Sequence, residues 1–260
     1  MRAARATLVG ALCGFAVLSS AADAQAPLAT DDAAVTPPQG WHVELFQQHA
    51  ELPVSALPAG TQDTSVVAVA WGLVPRLEVG FDVPWIAIHG NGTVAGGGDL
   101  DLTAKWQLHP AKDARSPAFA LALGVELPTG DPDRGLGSGV TDVDLTLIAE
   151  RRIAPAIVLH GNLGLQFAGN TLTGAVGSSD RGKVLAGGVS LTADLTPRWQ
   201  FVSETTGYQG RSPDGKDREL RLLAGLVFAH SPRWSFACSV QHGWLQSPPW
   251  LFQFGVILDS

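Results

Sequence analysis

Twelve stretches of this chain alternate apolar and polar residues with period two, and nothing else in the sequence constrains the fold as much. From Arg76 to Ile88 the sequence is RLEVGFDVPWIAI. Leu77, Val79, Phe81, Val83 and Trp85 share one face, and Arg76, Glu78, Gly80, Asp82 and Pro84 share the other. DLDLTAKWQL (Asp99 to Leu108) repeats the arrangement, with Leu100, Leu102, Ala104, Trp106 and Leu108 opposite Asp99, Asp101, Thr103, Lys105 and Gln107. Such a period marks a strand with one greasy and one wet side, not an amphipathic helix. The segments fall at about residues 40–49, 63–73, 76–88, 98–108, 117–127, 140–151, 156–168, 183–195, 198–208, 218–229, 233–244 and 249–258. Most exceed the ~5–6 residues of a globular strand and match the ~9–11 of a tilted membrane strand.

The connections sort into two classes. LVPR (73–76), IAP (153–155), TPR (196–198) and HSPR (230–233) are short and contain proline, and HPAKDARSP is moderate. Between them come longer Gly- and Asp-rich connections such as HGNGTVAGGGD, NTLTGAVGSSDRG and GRSPDGKD, with LQSP as a short member. Outer-membrane barrels are built this way, with an even strand number, short periplasmic turns and longer outward loops. Tryptophan follows the same division. Trp41, Trp71, Trp106, Trp199 and Trp234 stand at strand ends on the short-turn side, and Trp85, Trp244 and Trp250 on the long-loop side. An indole is most comfortable at a lipid–water boundary, so the sequence predicts two aromatic girdles. A soluble two-sheet sandwich could use the same alternation, but it explains neither the turns nor the tryptophans. The expected fold is therefore all-β, a twelve-stranded antiparallel transmembrane barrel of the outer membrane with periplasmic termini.

The first residues read as an export signal. Arg2 and Arg5 precede a short apolar core, Thr7 to Leu18, and AADAQAP offers small-residue cleavage sites, of which the one after Ala24 is preferred. The expected organisation is a signal peptide at 1–24, a short periplasmic N-terminal segment at 25–39 and the barrel at 40–260. Removing residues 1–24 moves the net charge from −7 to −8, so an acidic mature chain has no electrostatic footprint for nucleic acid. Cys238 is then the sole cysteine and can form no intramolecular disulfide.

LPTGDPDRGLGSGVTDVDLTL (Leu127 to Leu147) looks at first like a phosphate or calcium loop. Gly130 and Gly135 are followed by Leu136 and Gly137, where a phosphate loop needs lysine and a hydroxyl. Asp131 and Asp133 begin a calcium pattern that Gly135 interrupts. Pro128 to Gly139 is expected to be an outward hairpin loop. Together with PLATDDAAVTPPQGWHVEL and WGLVPRLEVGFDVPW, this stretch resembles the family of outer-membrane proteins named for the MetA pathway of phenol degradation, which also contains the exporter of functional amyloid subunits. The resemblance spans essentially the whole mature chain. It implies a transporter- or channel-like barrel of a Gram-negative outer membrane and supplies no catalytic residue.

No catalytic, cofactor-binding or metal-ligating set is expected. His242 lies on the apolar face near Ser247 without a third partner, and no His or Cys pair has ligand spacing. The polar face is more specific. It places Glu78, Asp82, Asp99, Asp101, Glu126, Asp142 and Asp144 in an acidic cluster, with Glu44, Glu150, Asp194, Glu204 and Glu219 elsewhere in the lumen. Its bases are Arg76, Lys105, Arg198, Arg221 and Arg233. The expected function is a channel or transporter for small solutes, whether hydrophobic, aromatic or cationic. The alternatives are a structural or protein-export barrel and, more distantly, a lipid hydrolase. Outer-membrane lipid, a small-molecule solute and the barrel-assembly machinery are the expected partners, with a homo-oligomer left open.

Overall fold

The computed structural model describes residues 27–53, 56, 58–113, 115–167, 183–209, 218–245 and 247–260. The expected signal peptide and the outward loops at 170–181 and 210–217 lie outside the described residues.

The strands are β1 (Trp41–Glu51), β2 (Thr61–Val74), β3 (Leu77–His89), β4 (Thr93–Gly97), β5 (Leu100–His109), β6 (Ala118–Leu127), β7 (Asp142–Ala154), β8 (Ile157–Phe167), β9 (Val184–Asp194), β10 (Trp199–Gln209), β11 (Arg218–Ser231), β12 (Trp234–Leu245) and β13 (Trp250–Asp259). Twelve of them form one closed antiparallel barrel, in which β1 pairs with both β2 and β13. The thirteenth, β4, is a five-residue addition paired with the outer half of β3, while β5 takes the inner half. It arises inside HGNGTVAGGGD, where glycine leaves no alternation to read.

The barrel is inside out relative to a soluble fold. Inward positions carry buried polar groups such as Glu44, Thr103, Lys105, Ser190, Glu204 and Gln241. Outward positions carry bare apolar ones, with Leu163 at 58% and Phe254 at 54% exposed. All eight tryptophans are exposed on the outer surface. Trp41 and Trp71 are register partners at the short-turn end, and Trp199 packs at a tilt against Phe228 with ring centroids 4.8 Å apart. A closed sheet satisfies its backbone hydrogen bonds strand to strand, so lipid can meet this surface without meeting an unpaired amide. Cys238 is exposed on the same outer surface.

Turn chemistry sets the two rims. Arg76 adopts φ 70° in the tight β2–β3 turn. At the opposite rim the Pro128–Thr141 loop contains one 3₁₀ turn (Pro132–Arg134), capped by Asp131 accepting from Asp133 N and ended by Gly135 at φ 74°. Asp99 clasps this loop by accepting from Gly130 N (2.8 Å) and from Ser138 N. Leu136 is thereby buried against Leu52, Ala56, Ala59, Ile86 and Ile88. The Gly- and Asp-rich stretch after Leu127 is a hairpin loop with its own small core.

Candidate functional site: the barrel interior

Residues 28–40 do not stay clear of the barrel; they run against its inner wall. Sequence reading assigned 25–39 to a short periplasmic segment and gave it no contact. In the structure, wall side chains supply the hydrogen bonds that an extended backbone cannot make to itself. Ala29 N donates to Glu204 Oε2 at 2.9 Å, and Thr30 N donates to the same carboxylate. The Thr30 hydroxyl donates to Ser190 Oγ at 2.6 Å. Lys105 Nζ pairs with Asp31 at 3.0 Å and with Glu78 at 2.8 Å. Gln107 Nε2 donates to Ala33 O at 2.9 Å, and Thr36 N donates to Glu78. The Asn162 amide, oriented so that both its oxygen and nitrogen are satisfied, accepts from Asp31 N at 2.7 Å and donates to Asp31 O at 3.1 Å.

Packing follows the same path. Ala33 is fully buried against Ala118, Ala120, Ala122 and Ile148, and Leu28 packs on Val202 and Leu223. Small inward residues on β6 leave the space that Ala33 fills. At the short-turn rim, Pro38 bridges Gly72, and a Cβ on Gly72 would stand 2.0 Å from Pro37 O. Glycine is required there by the backbone's own approach. Buried polar groups cost stability unless paired, so each of these bonds ties the segment to the wall.

Among the described residues ten wall carboxylates are buried: Glu44, Glu78, Asp82, Asp99, Asp101, Glu126, Asp142, Asp144, Glu204 and Glu219. Asp82, Asp101, Glu126 and Asp142 are successive register partners across β3, β5, β6 and β7. Like charges directly opposite destabilise a sheet, so this row favours positive charge or water beside it. Two members of the expected cluster have other attachments as well. Asp99 clasps the loop described above, and Asp142 accepts from Gln166 Nε2 at 2.9 Å.

Of the five expected lumen bases, two are buried. Lys105 holds Asp31 and Glu78, and Arg221 pairs with Glu219. Arg76, Arg198 and Arg233 are instead exposed at the hairpin turns, because each stands one residue before its strand begins, where the chain is still turning. Asp194 is likewise exposed at the end of β9, and Glu150 is half-buried. His242 packs its ring against Trp244 (4.7 Å) and Trp250 (4.5 Å), while the Ser247 hydroxyl donates to Leu220 O at 3.2 Å.

Sequence reasoning missed Thr30, Asp31, Ala33 and Ser190 as members of the interior, while Asn162 lies on the lumen face as its place in the alternation predicts. The available signal was the run of small inward residues, Ala118, Ala120, Ala122, Gly164, Ala186 and Gly188, which a hollow barrel does not need. Three cavities open in the described interior, two of them bordered by the segment. One of about 830 Å³ opens at the short-turn rim between Thr36, His42, Glu78 and Lys105. One of about 530 Å³ lies under the loops beside Asp82, Asp101 and Glu126. The third, about 670 Å³, is bounded by Ala29 and Thr30 and by the wall of β7 to β10.

Comparison with known proteins agrees with this architecture. Residues 55–255 match the family described as "Putative MetA-pathway of phenol degradation". No curated protein matches the chain. Among solved structures, an outer-membrane channel from Pseudomonas putida F1 aligns at 14% identity over 88% of this chain and 98% of its own, with a TM-score of 0.70. The KdgM porin (8% identity) and the NanC porin (10%) each align over 84% of this chain and 98% of their own, both with a TM-score of 0.54. At these identities the likeness is one of fold, and the apolar exterior already calls for a bilayer. The chain is an outer-membrane β-barrel and belongs to the family named for the MetA pathway of phenol degradation.

Proposed function

We propose that the protein is a channel for small solutes that favours neutral and cationic ones over anions. The observation carrying this is the charge of the interior: ten buried wall carboxylates against Lys105 and Arg221. Residues 168–182 and 210–217, outside the described ones, carry equal numbers of acids and bases. They bring Asp180 with Arg181, and Asp214 and Asp217 with Arg211 and Lys216. A low-dielectric passage lined by one sign of charge concentrates the opposite sign. The cavities on either side of the N-terminal segment supply the volume, and a family named for phenol degradation fits a small solute. The second reading is a closed structural or export barrel, favoured by the segment itself, which fills part of the lumen.

Swelling of liposomes containing the purified barrel separates these readings. Glucosamine, glucose and gluconate are close in size and carry positive, zero and negative charge. Gluconate should enter slowest. The Asp101→Asn, Asp144→Asn pair removes two lumen carboxyl groups without touching the Asp99 clasp, and it should narrow the difference. Fastest entry by gluconate would overturn the charge argument, and no flux of any solute would favour the closed barrel.

A further inference from the structure

The acid row beneath the loops is a line, not a ring of converging ligands. Asp82, Asp101, Glu126 and Asp142 stand side by side as register partners on β3, β5, β6 and β7. Among the described residues no three carboxylate, imidazole or thiol side chains converge on a point that would hold a metal ion. The two buried bases are bonded elsewhere, Lys105 to Asp31 and Glu78, and Arg221 to Glu219. Like charges set directly opposite destabilise a sheet, so an extended row of this kind suits an extended positive partner.

Asp101 supplies the second observation. It is 7% exposed, it lines the cavity under the loops, and its Oδ1 is buried without a hydrogen-bond partner. Buried polar atoms are normally satisfied, so this oxygen marks a place for a donor. The rest of the cavity lining is amphipathic. Val66, Pro84 and Ile86 form an apolar strip beside the acids, and Gln48, Gln62 and Thr64 complete the lining from β1 and β2. With Gln48 and Gln62 each already donating to a neighbour, Gln253 and Thr64 respectively, the lining is richer in acceptors than in donors.

We propose that the row is a docking track for a linear aliphatic polyamine, an assignment that rests on the acid-lined channel reading above. Neighbouring strands stand ~4.8 Å apart, so successive carboxyl groups match ammonium groups separated by about three or four methylenes. One ammonium donates to Asp101 Oδ1, and its neighbours along the chain meet Asp82 and Glu126 on either side. Such charge-assisted hydrogen bonds are the strong ones. The methylenes between them pack on Val66, Pro84 and Ile86. A compact cation of equal charge meets only part of the row and has no alkyl chain for the apolar strip.

Isothermal titration calorimetry on the folded full-length barrel at low salt tests the assignment with two probes of equal charge. Spermidine spreads its three positive charges along a linear chain, and hexaamminecobalt(III) carries the same charge on a compact sphere. Spermidine should bind saturably, and the cobalt complex at least about tenfold more weakly, the effect of one lost charged hydrogen bond. Asp101→Asn, which keeps the shape, should weaken spermidine binding roughly tenfold for the same reason. Asp82→Asn serves if the first variant does not fold. Equal binding of the two probes, or unchanged spermidine binding in a folded variant, overturns the track. Reversal potentials measured on the same preparations keep the two readings apart. A cation-preferring barrel that binds both probes alike loses the track alone. A barrel without conductance that binds spermidine more tightly than the cobalt complex loses the channel alone.

Discussion

Deleting residues 27–36 should raise the conductance of the barrel several-fold while leaving its twelve strands intact. The segment is held by wall side chains and not by strand pairing until Pro38 reaches Gly72. Its removal therefore breaks no ladder. It also joins the cavities at the short-turn rim to those nearer the loops. Glu204 loses its backbone donors and Lys105 loses Asp31, but both then face water, which offsets the loss. Asp31→Asn is the graded version, since it keeps the shape and weakens one anchor, and it should lie between wild type and the deletion. Single-channel recording measures both. Unchanged conductance in a folded deletion variant would mean that solutes already pass beside the segment and that it gates nothing.

The second large effect concerns the face toward lipid. Leu145, Leu163 and Leu222 are all outward and exposed. Replacing any of them with arginine should cost about 2–4 kcal/mol near the bilayer midplane, because the charge must snorkel or drag water with it. Thr146→Arg, one residue from Leu145, points instead into a cavity beside Asp144 and should cost distinctly less. Urea unfolding in lipid vesicles gives both values. Equal costs at 145 and 146 would contradict the inside-out arrangement.

The strands were legible because a barrel in lipid writes its register into the sequence. Each spanning strand must put apolar residues outward at every second position, so Leu77, Val79 and Phe81 announce both the strand and its faces. Rims are less legible. Arg76, Arg198 and Arg233 fit the alternation on paper, but the chain is still turning there, one residue short of the strand, so they meet water outside the lumen. The β4 strand hides among glycines, and Leu136 sits in a loop whose apolar partners come from three other parts of the chain. The N-terminal segment was the least legible. PLATDDAAVTPPQ has no periodicity, since its partners are side chains scattered over β3, β5, β8, β9 and β10. Only the small residues that make room for it were visible in advance, and they read equally well as ordinary alanines and glycines.

The central claim is that an acid-lined interior forms a passage, and the reversal potential across a planar bilayer tests it most directly. With a potassium chloride gradient and the wild-type barrel, the sign should be that of a cation-preferring pore. The preference should shrink as salt approaches 1 M, where the Debye length falls to ~3 Å. A reversal potential of the opposite sign at low salt would contradict the account.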